Sequence, residues 1–238
     1  MNTARISVTE AKRSGQVRTL LRHLAVIGVM ILLVLLFRWR RDINGVHLWN
    51  RAFADASVVL LSITLIIGPV VRLVPGVGPL LPWRREFGIW CTLAAVMHVA
   101  IYASSFKFDL KRFFGGSLGQ TFHWLDNPWA IGNWIGTVAL VYAVVIAATS
   151  NDVFERYLGR GWKHLQQQSY TLFILTAIHT AIFLYAAATF GKGIFTAFFW
   201  IALVLVPGIQ FAGYVATVRR HRLRRRASLK TVRPALTP

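Results

Sequence analysis

One cysteine, Cys91, is all that the 238 residues contain. A lone thiol excludes an internal disulfide and any CxxC-type zinc or iron–sulfur site. Acidic residues are scarce too, with 8 Asp and Glu against 27 Lys and Arg and a formal net charge of +19. Charged residues make up 15% of the chain and hydrophobic ones 55%, whereas soluble domains carry about 25% charged residues. The chain is too apolar for an ordinary globular protein. A Rossmann fingerprint, a P-loop and a catalytic triad are also missing. The glycine strings GGSLG (115–119) and PGVGP (75–79) lack the strand–helix context of a phosphate cradle and read as loops. No long repeat or low-complexity linker divides the chain, which reads as one domain.

What is present is a set of six apolar segments bounded by charge, at about 21–38, 56–74, 86–106, 128–149, 167–189 and 193–217. A membrane span needs about 20 residues. The first two have shorter uncharged cores, His23–Phe37 and Ala56–Val71, but Arg22, Arg38 and Arg72 at their ends can snorkel. The first segment has the basic approach of a signal peptide. Phe37-Arg38-Trp39-Arg40 follows it where a small-residue cleavage site would stand, so it reads as an uncleaved helix. Nine Trp and sixteen Phe suit interfacial aromatic belts.

The basic residues flank the spans instead of forming a soluble face, so they read as a topology signal and not as a nucleic-acid surface. Segments 1–22, 72–85, 150–167 and 219–238 hold 19 Lys and Arg, and the alternate segments 38–55, 107–127 and 190–192 hold 8. The six spans predict an all-α, six-transmembrane-helix bundle, and the positive-inside rule places both termini in the cytoplasm. Its expected parts are a basic segment 1–20, a helical domain 21–218 and a polybasic tail 219–238. The tail run RRHRLRRRASLK (219–230) suits anionic lipid headgroups, or a docking surface for an acidic cytoplasmic partner.

Five histidines, His23, His47, His123, His164 and His221, fall at or beyond the expected helix ends. Only His98 and His179 lie well inside spans. His98 is 13 residues past Arg85 and His179 is 13 past Gln166, each about 20 Å along a helix running outward. An ionisable group inside a span points to function, and two imidazoles at one depth are suited to clamp a metal between helices. Heme iron with two axial histidines is the natural candidate, because ligation satisfies a buried neutral imidazole. Ala94 and Ala95, one turn before His98, leave room for a flat macrocycle, with Cys91 on the same face, and Thr176 is placed to orient His179. The alternative is that each histidine hydrogen-bonds another helix. Met97 points about 100° away from His98 and reads as packing.

TLIIGPVVRL (64–73), WRREFGIWCTLAAVMH (83–98), DNPWAIGNWIG (126–136) and TSNDVFERYLGRGWKHL…Y…IH (149–179) together resemble the ferric-reductase-like transmembrane domain family. Within it they are most similar to the MsrQ (YedZ) heme-binding subunits of periplasmic methionine sulfoxide reductase systems, over about residues 50–185. The resemblance implies a six-helix bundle with b-type heme, taking electrons from quinol or a cytoplasmic flavin reductase. The implied acceptor is a periplasmic molybdopterin enzyme. It also implies that the outer heme ligands are His98 and His179.

The chain departs from that pattern at Gln166, where the resembled subunits have an earlier histidine. Related ferric reductases place another inner histidine near Arg84 or Arg85. His164 would point about 200° from Gln166 on a regular helix. One outer heme is therefore expected, with a possible inner site at His164, Gln166, Arg84 and Arg85. Arg84, Arg85, Lys163 and His164 also form a basic edge suited to the phosphate of FMN or to an acidic reductase. The leading function is an electron-transfer subunit whose terminal chemistry sits on a partner. The alternatives are an accessory heme-binding subunit of a larger membrane complex without electron relay, and ferric-chelate reduction at the outer face.

Overall fold

The computed structural model describes residues 2–39, 45–74, 76–115, 127–186 and 194–232. Every regular element among the described residues is helical: α1 (Asn2–Trp39), α2 (Val46–Leu73), α3 (Trp83–Ser105), α4 (Leu110–Gly115), α5 (Pro128–Ala148), α6 (Asp152–Leu158), α7 (Arg160–Gln167), α8 (Ser169–Ala181) and α9 (Ile194–Val232). Six stretches are long and apolar enough to cross a bilayer: Arg13–Trp39, Val46–Leu73, Gly78–Ser105, Pro128–Ala148, Arg160–Tyr185 and Ile194–Arg225. The protein is an all-α, multi-pass integral membrane protein.

Local signals explain where helices start. Asn127 caps α5, its side chain accepting from the Trp129 amide at 3.0 Å, and Pro128 occupies the first turn. Asn151 caps α6 through the Val153 and Phe154 amides, with Asp152 and Glu155 facing the positive end of the helix.

The organising element is α2. Its apolar window is 61% buried, far more than that of any other span, because α1, α3 and α9 all pack on it. Leu60, Leu61 and Leu65 form one core with Val26, Cys91 and Val206; Ala52, Ala56 and Val59 form another with Phe195 and Phe199. The other helices turn large side chains outward, such as Leu32, Val204 and Phe211, as a lipid-facing surface requires. Glu86 on α3 is 2% exposed and is held by the Arg22 guanidinium of α1 at 2.9 Å. One turn further along α3, the Trp90 indole donates to Nδ1 of His23 at 3.1 Å.

Three boundaries differ from the sequence expectation. Helix α2 begins at Val46, ten residues before 56. Asn50 and Asp55 are buried against other helices instead of marking the end of an apolar run. The fifth span starts at Arg160, bends at Gln168 and ends in a π-helical turn over Ile182–Ala186. Helix α9 continues to Val232 through most of the polybasic run, whose Arg, Leu and Ala are good helix formers. Residues 233–238 and His123 lie outside the described residues, as do Pro75 and 116–119 of the two glycine strings.

Gly213 sets how closely α9 approaches α2. A Cβ there would lie 2.9 Å from Pro69 Cβ and 3.2 Å from its Cα, and a backbone atom cannot rotate away. Gly213→Leu should therefore force the helices apart at a cost of roughly 1–3 kcal/mol. The measurement is thermal denaturation of the detergent-solubilised protein, which should show a lowered midpoint.

Candidate functional site

His98 near the end of α3 and His179 near the end of α8 face each other, with ring centroids 6.2 Å apart and planes crossing at 75°. Their helices do not pack tightly together: α3 lies chiefly on α2, and α8 on α5. The gap left between them is a cavity lined by both imidazoles. Small side chains form much of its wall, including Ala54, Ser57, Ala95, Gly136 and Ala143. Tyr102, Phe113 and Asn133 stand at the end beyond His98. The cavity is partly open to the outside of the bundle.

Each ring is aimed by its Nδ1 atom. Nδ1 of His179 lies 2.7 Å from the carbonyl oxygen of Gly132 on α5. A carbonyl only accepts, so Nδ1 carries the hydrogen and Nε2 keeps its lone pair. Nδ1 of His98 lies 3.0 Å from the backbone oxygen of Asn50 on α2, which favours the same tautomer. The Asn50 side-chain nitrogen is 3.0 Å from that Nδ1 and 2.8 Å from the His98 carbonyl oxygen.

Glycine at two positions of α5 makes the His179 contact possible. A Cβ at Gly136 would lie 2.6 Å from Cε1 and Nδ1 of His179. One at Gly132 would lie 2.6 Å from the Phe183 ring, in the π-helical turn that follows His179. The segment Gly132-Asn133-Trp134-Ile135-Gly136 is thus a small-residue seam of the kind that lets membrane helices approach closely. The rest of Asn133 is used outward, where its amide donates to the Phe113 carbonyl of α4 and lies 3.4 Å from the Tyr102 hydroxyl.

These residues fit a heme. Metal–imidazole bonds of about 2 Å on each side, plus the two ring radii, give a centroid spacing of about 6 Å, close to that observed. Both Nδ1 atoms have carbonyl acceptors, the second-sphere arrangement typical of ligating histidines. Among the described residues, no group of three or more His, Cys, Asp or Glu side chains is placed to hold a metal ion.

The other residues singled out from sequence divide. Ala95 and Thr176 line the cavity, but the hydrogen bond that orients His179 comes from Gly132. Ala94 is fully buried in the packing of α3 and does not line the cavity. Cys91 lines it, with its sulfur 3.3 Å from the Ser57 carbonyl. Met97 is exposed on the outside of α3.

Of His164, Gln166, Arg84 and Arg85, Gln166 and Arg85 both reach the turn at Ser150–Asp152. Gln166 donates to Ser150 Oγ at 3.1 Å and to the Ile146 carbonyl at 3.4 Å, tying α7 to the end of α5. His164 is exposed. Arg85 pairs with Asp152 at 2.7 Å, while Arg84 lies over Gly68 of α2 beside Arg72.

Sequence reasoning missed Asn50, Gly132 and Gly136. The GxxxG spacing of the last two inside an apolar helix was a readable signal. Asn50 carried none, because it sits 48 residues from the histidine it holds.

Comparison with known proteins places this geometry in context. Residues 53–177, more than half of the chain, match the family described as ferric reductase like transmembrane component. The magnetosome protein MamZ of Paramagnetospirillum magneticum is 29% identical over 131 residues, 55% of this chain and 19% of that protein. The protein-methionine-sulfoxide reductase heme-binding subunit MsrQ of Pectobacterium atrosepticum is 31% identical over 125 residues, 52% of this chain and 57% of that one. MsrQ of Cronobacter sakazakii is 32% identical over 124 residues, with the same coverage. The matches thus span less than two thirds of these relatives, and relatives with different names match a similar share of the chain.

Gly136→Ala tests the seam directly, since the added methyl displaces the His179 ring. Hemin titration of the purified variant should show affinity lower by about 10–100-fold, the usual effect of disturbing a ligand's orientation. Helix content by circular dichroism should be retained.

Proposed function

We propose that this chain, which belongs to the ferric reductase like transmembrane component family, is a b-type heme-binding electron-transfer subunit of a bacterial inner membrane. The observation that carries the reading is the His98–His179 pair, with each Nδ1 against a carbonyl and both rings lining one cavity. His98 and His179 would hold the iron through Nε2, while Asn50 and Gly132 fix the rings. Ala95, Gly136 and Thr176 leave space for the macrocycle. When bound, heme supplies reversible one-electron storage at iron.

The likeness to MsrQ supports a place in methionine sulfoxide repair. In this reading both termini are cytoplasmic and the site lies in the outer half of the membrane. Electrons come from quinol or a cytoplasmic flavin reductase and go to a periplasmic molybdopterin enzyme. The polybasic end of α9 rests among anionic lipids.

A single heme is favoured because Gln166 is engaged by Ser150 and Ile146, and no imidazole faces it from α3, where Arg84 and Arg85 stand. The same observation favours quinol within the bilayer over a donor reaching in through an inner heme. It also gives the accessory-subunit reading its footing, in which heme is held without relay.

The purified protein should show a reducible b-type spectrum at about one heme per chain. His98→Ala and His179→Ala should each abolish it, and an unchanged spectrum in both variants would refute the ligand assignment. Counting hemes by redox titration decides the inner site, since two separate transitions contradict a single heme. Stopped-flow mixing of the oxidised protein with a quinol separates relay from accessory roles: reduction within seconds supports relay, and none over many minutes supports the accessory role.

A further inference from the structure

We propose that Asn50 is a positioning residue that selects the tautomer of His98 and thereby tunes the affinity and potential of the heme; this rests on the heme reading above. Asn50 sits in the first turns of α2 and is 6% exposed. A buried amide must be satisfied, and here its nitrogen is directed at His98. Its backbone oxygen is 3.0 Å from Nδ1 of His98, its side-chain nitrogen is 3.0 Å from the same Nδ1, and that nitrogen donates to the His98 carbonyl at 2.8 Å. His179, by contrast, has one carbonyl contact at Nδ1.

The two contacts at Nδ1 of His98 exclude each other. If Nδ1 bears hydrogen, it donates to the Asn50 backbone oxygen and Nε2 is free to ligate. If Nδ1 accepts from the Asn50 amide, Nε2 bears the hydrogen and cannot bind iron. The bond from the amide to the His98 carbonyl biases the choice. It draws the amide hydrogens toward that oxygen and holds the Asn50 backbone oxygen within reach of Nδ1. Asn50 thus keeps His98 ready to ligate, yet supplies a partner for the other tautomer, so His98 is the adjustable ligand of the two.

Two substitutions in the full chain, reconstituted in lipid nanodiscs, separate this role from simple packing. In Asn50→Asp the side chain only accepts, so the tether to the His98 carbonyl is lost but both neighbours of Nδ1 now demand its hydrogen. The added negative charge favours ferric iron, and the midpoint potential should fall below wild type with heme retained. In Asn50→Leu the tether to the His98 carbonyl is gone, and hemin affinity should fall about 10–100-fold. If Asn50→Leu does not fold, the potential of Asn50→Asp decides alone. The inference is overturned if Asn50→Asp has a wild-type or raised potential, or if Asn50→Leu folds and binds hemin as wild type does. Should wild type bind heme and His98→Ala lose it while both Asn50 variants behave as wild type, only this inference fails. Should wild type bind no heme, the reading of the site fails with it.

Discussion

Two hydrogen bonds organise this molecule: Nδ1 of His98 to the Asn50 carbonyl and Nδ1 of His179 to the Gly132 carbonyl. A side chain as polar as imidazole is expensive inside a membrane, and each bond offsets part of that cost through backbone that is already fixed in a helix. Each also engages Nδ1, the nitrogen that would otherwise compete for a metal. The surrounding packing follows from these two contacts. Helix α5 needs glycine at 132 and 136 so that α8 can come close enough, and α2 must start early enough to include Asn50. The gap between α3 and α8 is what remains once their histidines have been tied to other helices.

The six spans were legible because basic residues bracket them, and lipid leaves a helix no other way to satisfy its backbone. The depth match of His98 and His179 was legible too, since both stand 13 residues beyond a recognisable inner boundary and rise along parallel helices. The start of α2 was not. An uncharged-run criterion treats Arg51 and Asp55 as an end, yet Asp55 is turned inward to a protein neighbour, where the cost of polarity is set by partners and not by lipid. Asn50 escaped for a related reason. Its meaning resides in a contact across 48 residues, and no periodicity encodes that. Thr176 lines the cavity, one turn from His179 as its spacing suggested, while a carbonyl of another helix meets the ring.

The half of the bundle away from the histidine pair follows a different logic. There the polar residues are paired with one another across helices: Arg22 with Glu86, Arg85 with Asp152, Gln166 with Ser150 and Ile146, and Tyr170 through Gln210 to the Leu65 carbonyl. These contacts tie α3 to α1 and α6, α7 to α5, and α8 through α9 to α2, so they act as fasteners between elements. A heme ligand at position 166 would have to give up the contacts to Ser150 and Ile146 and find a facing imidazole on α3, where two arginines stand instead. Substituting Gln166 alone therefore does not restore a symmetric pair of sites. The sequence difference that first looked like a missing ligand is, in the folded chain, one of several helix-to-helix hydrogen bonds that fasten this half of the bundle.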